Sequence, residues 1–181
     1  GQTLGPARLV SEPGDFPTTS AALVWTESEY GVSWVRCYSY NEWMCDLFFR
    51  RLDRSGTPVS SDILLQHISG GGSLRAPSLA WTGLEYGFAL NYDRTIAWIW
   101  FIHTDRLGNQ IGSTMNEGTG RLRPDGFVWT GAEYGLVYTD MGAFSRVFFF
   151  RFDSSGSRLS SDIPLTEEFG DECSGPLVWT G

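Results

Sequence analysis

The stretch that decides the fold is residues 79–87, which read Leu-Ala-Trp-Thr-Gly-Leu-Glu-Tyr-Gly. The pattern returns at residues 127–135 as Phe-Val-Trp-Thr-Gly-Ala-Glu-Tyr-Gly and at residues 23–31 as Leu-Val-Trp-Thr-Glu-Ser-Glu-Tyr-Gly. A fourth occurrence begins at residues 177–181 with Leu-Val-Trp-Thr-Gly. The tryptophans recur at intervals of 56, 48 and 50 residues, which indicates an internal repeat of about fifty residues.

Each Trp-Thr hairpin is followed by a second predicted hairpin. The first strand of this hairpin has apolar residues at both odd and even positions, as in residues 146–152, Arg-Val-Phe-Phe-Phe-Arg-Phe. An Asp-x-x-Gly turn closes it, because Asp can accept hydrogen bonds from its own turn and Gly tolerates positive φ. This turn recurs at residues 53–56, 105–108 and 153–156, and a less regular fourth strand is predicted at residues 59–65 and 159–165.

Four short strands per repeat predict an all-β fold, and the burial pattern favours one architecture. A strand that is apolar on both parities is covered on both faces, as is a blade between two neighbours in a β-propeller. A single sandwich would show cleaner alternation. We therefore predict a β-propeller segment of four-stranded antiparallel blades. Its parts are a fourth strand within 1–20, complete blades at 21–70, 71–120 and 121–170, and a first strand within 171–181.

The composite motif Pro-x-Leu-x-Trp-Thr-Gly, Glu-Tyr-Gly and Phe-x-Arg-x-Asp-x-x-Gly resembles the repeats of bacterial secreted β-propellers. It is carried by Pro77, Trp81, Gly83, Tyr86, Gly87 and Asp105, and by Trp129, Tyr134, Phe150, Arg151, Asp153 and Gly156. The first repeat departs from the motif with Glu27 in place of the turn glycine, and the second with Ile102 in place of the arginine. The resemblance implies an extracellular or cell-surface location in a bacterium, and such repeats serve mainly as scaffolds, with lectins as one use among several.

Charge and hydropathy exclude two classes of partner. The net charge is −8 with no basic stripe, so a phosphate backbone would be repelled and no nucleic-acid binding is expected. No apolar run approaches the length of a membrane-spanning helix, so no membrane insertion is expected. Three complete blades cannot close a ring, since closed propellers have four to eight. The expected partner is therefore a second copy of the chain or a missing remainder of the propeller.

Three cysteines are present, and two of them flank a loop in the first repeat. A Cys37–Cys45 disulfide would staple the ends of a hairpin, although the sequence leaves open whether their Cα atoms lie within reach. Cys173 is left over and is consistent with an inert thiol.

The loop between these cysteines is the candidate ligand site. Aromatic faces beside amide and carboxylate groups are what a saccharide site needs, and they are supplied by Tyr40, Asn41, Glu42 and Trp43. The alternative is a loop folded over the blade edge with its tryptophan packed down. The other repeats have no clear counterpart of this cluster, which weakens the idea of one sugar site per blade.

Two other repeated features favour structural roles. The four tryptophans of the repeat are expected to pack in the core. Glu29, Glu85 and Glu133 are expected to accept hydrogen bonds from the backbone amides of their own turns.

No metal site or cofactor is predicted. The acidic residues between 167 and 172 lack the spacing of a calcium loop, and His67 and His103 are too few and too far apart for zinc. Motifs for nucleophilic or phosphate chemistry are absent from the sequence. We therefore predict a non-catalytic extracellular binding or scaffold module with a carbohydrate or protein ligand. The alternative is a lectin-like propeller, followed by a glycoside-active enzyme.

Overall fold

The computed structural model describes residues 7, 9–11, 18–38, 44–69, 72–93, 97–120, 122–142, 145–167 and 177–180. These residues form three four-stranded antiparallel sheets and no helix, so the fold is all-β as predicted. No helix with the length and apolar character that crossing a bilayer requires occurs among them. In each sheet, strands that follow each other in the chain are hydrogen-bonded neighbours, and no sheet closes on itself.

The strands divide evenly among the sheets. Sheet 1 contains β1 (Thr18–Trp25), β2 (Tyr30–Tyr38), β3 (Met44–Leu52) and β4 (Ile63–Ile68). Sheet 2 contains β5 (Ser73–Trp81), β6 (Glu85–Asp93), β7 (Ala97–Asp105) and β8 (Met115–Gly120). Sheet 3 contains β9 (Leu122–Trp129), β10 (Tyr134–Asp140), β11 (Arg146–Phe152) and β12 (Ile163–Pro164).

The Asp-x-x-Gly turns form as predicted. Asp53 Oδ1 accepts hydrogen bonds from the backbone nitrogens of Ser55 and Thr57 at 2.8 and 2.9 Å, and the turns at Asp105 and Asp153 repeat this pattern. The three turn glycines have φ values of 77°, 93° and 84°, a region that favours glycine. These contacts hold the pKa of the Asp105 and Asp153 carboxyls below the usual range, chiefly through side-chain hydrogen bonds from Asn109 and Ser155.

The turn after each Trp-Thr pair has the same conformation even where its sequence differs. Gly83 and Gly131 adopt φ values of 100° and 96°, and Glu27 is held at 72° in the same position of the first repeat. A side chain at positive φ is strained, so the first turn keeps its shape at an energetic cost of about 1–2 kcal/mol.

The core lies between the sheets. One cluster joins sheets 1 and 2 and contains Phe49 and Tyr86, and a second joins sheets 2 and 3 and contains Phe101 and Tyr134. Sheet 2 is therefore buried on both faces, which accounts for its strands being apolar on both parities.

The first strands of the three sheets lie side by side. Strand β1 contacts β5, and β5 contacts β9. The series extends to residues 177–180, because a Cβ atom placed on Gly126 of β9 would lie 2.6 Å from the backbone nitrogen of Leu177. The segment that repeats the first-strand sequence thus lies against the first strand of sheet 3.

Two details of the sequence analysis were wrong. The fourth strands begin at Ile63 and Ile163 rather than at Val59 and Leu159, because the two earlier residues hydrogen-bond to Arg51 and Arg151 within the turn. Most of residues 1–20, where a fourth strand was expected, lies outside the described residues, and residues 9–11 are not in a strand.

The tryptophans are also less buried than the predicted core position requires. Trp25 and Trp179 are exposed, and Trp81 and Trp129 are half-buried. Each tryptophan of the three sheets packs beside the tyrosine of its own Glu-Tyr-Gly motif, with ring centroids 4.5–4.7 Å apart. These three tryptophans are the last residues of β1, β5 and β9, which are edge strands of their sheets.

Candidate functional site

The Glu-Tyr-Gly motif joins neighbouring sheets. A Cβ atom on Gly31 of sheet 1 would lie 2.6 Å from Cε1 of Tyr86 in sheet 2. A Cβ atom on Gly87 would lie 2.8 Å from Cε1 of Tyr134 in sheet 3. In both cases the tyrosine ring of one sheet occupies the space that a side chain would need on the preceding sheet. We call this contact the Tyr–Gly joint, and it is made twice in the same direction along the chain.

A second repeated contact accompanies it at the Asp-x-x-Gly turn. A Cβ atom on Gly108 would lie 3.1 Å from the ring of Phe49, and one on Gly156 would lie 2.5 Å from the ring of Phe101. The turn glycine of each later sheet thus packs on the third-strand phenylalanine of the sheet before it. Nothing lies within 4 Å of the same position on Gly56, in the first sheet.

The first Tyr–Gly joint is completed by an ion pair. Arg51 donates from Nε to Glu29 Oε1 at 2.7 Å and from Nη2 to Glu29 Oε2 at 3.0 Å. Tyr86 Oη donates to the same carboxylate at 3.3 Å across the sheet interface. The hydrogen bonds from Arg51 hold the pKa of Glu29 below its usual range, and burial raises the pKa of Tyr86 well above its usual value.

The second joint has the same shape with weaker polar contacts. In the strand register Gly31 faces Arg51, Gly87 faces His103 and Gly135 faces Arg151. The residue that replaces the arginine in the second repeat is therefore His103, and the assignment to Ile102 was wrong. His103 Nδ1 lies 3.5 Å from Glu85 Oε2, too far for a good hydrogen bond.

The tyrosine of the second joint is left unpaired within the described residues. Tyr134 Oη is buried and has no hydrogen-bond partner there. Burial, followed by the nearby Glu85 carboxylate, raises the pKa of Tyr134 well above its usual value. This joint is therefore held by packing rather than by a polar network.

The motif glutamates do not bind their own turns as predicted. The turn amide is instead satisfied by a threonine, since Glu29 N donates to Thr26 Oγ1 at 3.2 Å and Glu85 N to Thr82 Oγ1 at 2.9 Å. The glutamate side chain is then available for the strand beside it. The sequence signal for this contact is the threonine of the Trp-Thr pair at the start of each turn.

The end of sheet 1 next to residues 39–43 carries the polar cluster that could contact a ligand. Cys37 and Cys45 form a disulfide with a Cα–Cα distance of 4.1 Å, and Tyr38 and Asp46 flank it. His67 Nδ1 lies 2.6 Å from Asp46 Oδ1, so Nδ1 donates to the carboxylate. Burial, followed by a hydrogen bond with Asp46, raises the pKa of Tyr38.

We call Tyr38, Asp46, His67 and the disulfide the sheet-1 rim. The predicted ligand residues Tyr40, Asn41, Glu42 and Trp43 lie outside the described residues, as does Cys173. From the sequence, His67 was considered only as a zinc ligand, and its position beside this loop was not predicted. Pairing of β3 with β4 places His67 opposite Asp46, a register that the irregular fourth strand concealed.

A small cavity lies between sheets 2 and 3. Its volume of about 20 Å³ holds one water molecule at most. Arg158 lies beside it, 3.6 Å from Glu117 and 2.5 Å from Asp162, with its guanidinium 4.5 Å from the centre of the Phe150 ring. These charges pair with one another, so the cavity is a packing defect rather than a ligand pocket.

No group of three or more potential metal ligands is found among the described residues. The comparison with known proteins returns no match to a family model and no curated relative. Function therefore has to be argued from the joints and from the sheet-1 rim.

Proposed function

We propose that the chain is a run of β-propeller blades and acts as a non-catalytic extracellular binding or scaffold module. The observation that carries this proposal is that the Tyr–Gly joint and the turn-glycine contact are both made twice, each time from one sheet to the next along the chain. One contact that recurs between successive units relates each unit to the next by nearly the same rotation. In support of the proposal, β1 contacts β5 and β5 contacts β9, which is the arrangement expected of the first strands of successive propeller blades.

The chemistry of the described residues fits a scaffold. Three carboxylates are engaged in structural pairs: Glu29 with Arg51, Glu133 with Arg151 and Asp162 with Arg158. A glycosidase needs two carboxyl groups flanking one bond, with one of them in the protonated form. The engaged pairs point instead to carboxylates that hold strands and sheets together.

The sheet-1 rim supports a lectin-like alternative. It offers the imidazole of His67, whose side chain is 52% exposed, beside a carboxylate and a phenol. Saccharide hydroxyls are bound by such acceptors and donors next to an aromatic face. The rim belongs to a single sheet, so this alternative is a single-site lectin.

A glycan array probed with the fluorescently labelled chain separates the two functions. A scaffold gives no saccharide signal, whereas a lectin-like module binds one class of glycan. The matched controls are His67→Ala at the rim and Gln110→Ala, an exposed substitution in a turn of sheet 2. Binding that is lost only with His67→Ala supports the lectin-like alternative. Turnover of chromogenic glycosides by the same sample would overturn both.

A further inference from the structure

On the face that points away from sheet 2, sheet 3 presents the groups that receive the next sheet in the earlier contacts. These are the glycine of a Tyr–Gly joint and the phenylalanine on which a turn glycine packs, and we call them the acceptor. Gly135 faces Arg151 and Val137 faces Phe149, which repeats the register of Gly31, Arg51 and Phe49 in sheet 1. Glu133 Oε1 accepts a hydrogen bond from Arg151 Nη1 at 3.0 Å. The ion pair that receives Tyr86 in the first joint is thus formed again in sheet 3.

Among the described residues, no tyrosine and no turn glycine contacts this acceptor, although Gly135 and Val137 are themselves buried. The described atoms nearest to a Cβ on Gly135 belong to Phe149 and Val128 of the same sheet, and none belongs to a tyrosine. The side chain of Arg151 is 43% exposed, against 17% for Arg51. Phe149 is half-buried, whereas Phe49 and Phe101 are fully buried.

Residues 177–180 already occupy one part of the same interface. They repeat the first-strand sequence, and Leu177 lies against Gly126 of β9, which continues the series of β1, β5 and β9. Residues 177–180 therefore take the place of a fourth first strand, and no described residue takes the place of the tyrosine or of the turn glycine.

We infer that sheet 3 and residues 177–180 form a docking surface for the remaining three strands of a fourth sheet of the same repeat type. The occupant carries a tyrosine that packs on Gly135 and donates to Glu133, and an Asp-x-x-Gly turn whose glycine packs on Phe149. This inference rests on the proposed propeller arrangement. It specifies that the outer face of sheet 3 is the one that binds, and that Glu133, Gly135 and Phe149 contact the occupant.

Sheet 1 of a second copy is the less suitable occupant. It presents Tyr30 and the open turn at Gly56, so it carries both donor groups. Its own β1, however, would need the position beside β9 where Leu177 lies. A second copy could dock only after residues 177–180 were displaced.

The test is to supply three strands of this repeat type and to ask whether they cover the acceptor. Residues 84–120 are duplicated and fused after Gly181, since Gly181 corresponds to Gly83 of the second repeat. Modification of Arg151 by phenylglyoxal is followed by mass spectrometry in the original and extended chains, with Arg51 as the internal reference. Docking is expected to slow Arg151 modification several-fold, to the rate of Arg51, and to raise the melting temperature.

Two matched variants decide whether protection comes from the proposed contacts. In the extended chain, Tyr86→Ala in the added copy and Gly135→Ala in sheet 3 should each restore rapid modification of Arg151. Unchanged modification of Arg151 in a folded extended chain would overturn the inference. So would protection that survives both substitutions.

Light scattering on the original chain tests the competing occupant. A concentration-dependent oligomer that Tyr30→Ala abolishes would assign the surface to a second copy and overturn the fourth-sheet inference. The glycan array and the glycoside assay use the original chain. The proposed function and the docking surface can therefore fail separately.

Discussion

The two Tyr–Gly joints share a shape and differ in polar chemistry. In the first, Arg51 and Tyr86 both donate to Glu29, whereas in the second His103 is 3.5 Å from Glu85 and the Tyr134 hydroxyl has no partner among the described residues. Both joints nevertheless place the tyrosine ring over a glycine at the same position. Packing of the ring on the glycine therefore defines the joint, and the polar network is an addition that one repeat has and the other lacks.

The largest effect on both joints is expected at alkaline pH. Burial raises the pKa of Tyr86, Tyr134 and Tyr138 well above the usual value of about 10. The unfolded chain then loses these protons at lower pH than the folded chain does. The stability that these three buried phenols contribute is fully present below pH 10 and is lost as the pH rises above that value.

Absorbance at 295 nm and far-ultraviolet circular dichroism, recorded together from pH 8 to pH 13, check this expectation. Of the seven tyrosines, the three buried ones should ionise only as the sheet signal disappears. Ionisation of all seven near pH 10 with the fold intact would contradict the buried joints. Because both joints bury their phenol, Tyr86→Phe and Tyr134→Phe should each remove part of the late absorbance change.

Substitution of the joint glycines should give the next largest effect. Gly31→Ala and Gly87→Ala place a methyl group 2.6 and 2.8 Å from a tyrosine ring, so each should lower the free energy of unfolding by about 1–3 kcal/mol. Gly135→Ala is the matched control, because its nearest described neighbour is the half-buried Phe149 at 3.1 Å. Urea denaturation of the three variants checks the order, and an equal loss for Gly135→Ala would show that the methyl group acts on the strand rather than on the joint.

Sequence alone predicted the four-stranded unit and the Asp-x-x-Gly turns, because both depend on local chemistry. The Asp53 carboxylate and Gly56 meet within four residues, so their pattern can be read directly. The joints could not be predicted in this way, because Gly31 and Tyr86 come together only when two sheets pack. The Glu-Tyr-Gly repeat was visible in the sequence, but its carboxylate was assigned to the wrong partner.

The sheet-1 rim shows the same limit. Cys37 and Cys45 were recognisable as flanking a loop, since they lie close in the sequence. The Asp46–His67 pair depends on the register of a fourth strand that begins four residues later than predicted. The predicted strand, residues 59–65, stopped short of position 67, so the sequence did not place His67 opposite Asp46.

The hydroxyl groups of the two joint tyrosines should contribute unequally. Tyr86→Phe removes a hydrogen bond to a carboxylate and should destabilise the chain by about 1 kcal/mol. Tyr134→Phe removes a buried hydroxyl that has no partner within the described residues, so it should leave stability unchanged or slightly increased. Urea denaturation of both variants under one set of conditions measures the difference. A loss for Tyr134→Phe as large as that for Tyr86→Phe would mean that the second joint has a polar partner after all.

The smallest effect is expected from converting the second joint into the first. His103 occupies the ladder position of Arg51, and its Nδ1 already lies 3.5 Å from Glu85 Oε2. His103→Arg should pair with Glu85 in the way Arg51 pairs with Glu29, and increase stability by less than about 1 kcal/mol.

The His103→Arg substitution should also make the stability of the second joint depend on the hydroxyl group of Tyr134. An arginine at position 103 would fix the Glu85 carboxylate, which could then accept from Tyr134 as Glu29 accepts from Tyr86. Tyr134→Phe should therefore cost about 1 kcal/mol in the His103→Arg background and nothing in the original chain. The double-mutant cycle, measured by urea denaturation, reports this coupling. A coupling of zero alongside a stabilising His103→Arg would place the gain in the ion pair alone, and would show that the hydroxyl geometry of the first joint depends on more than its arginine.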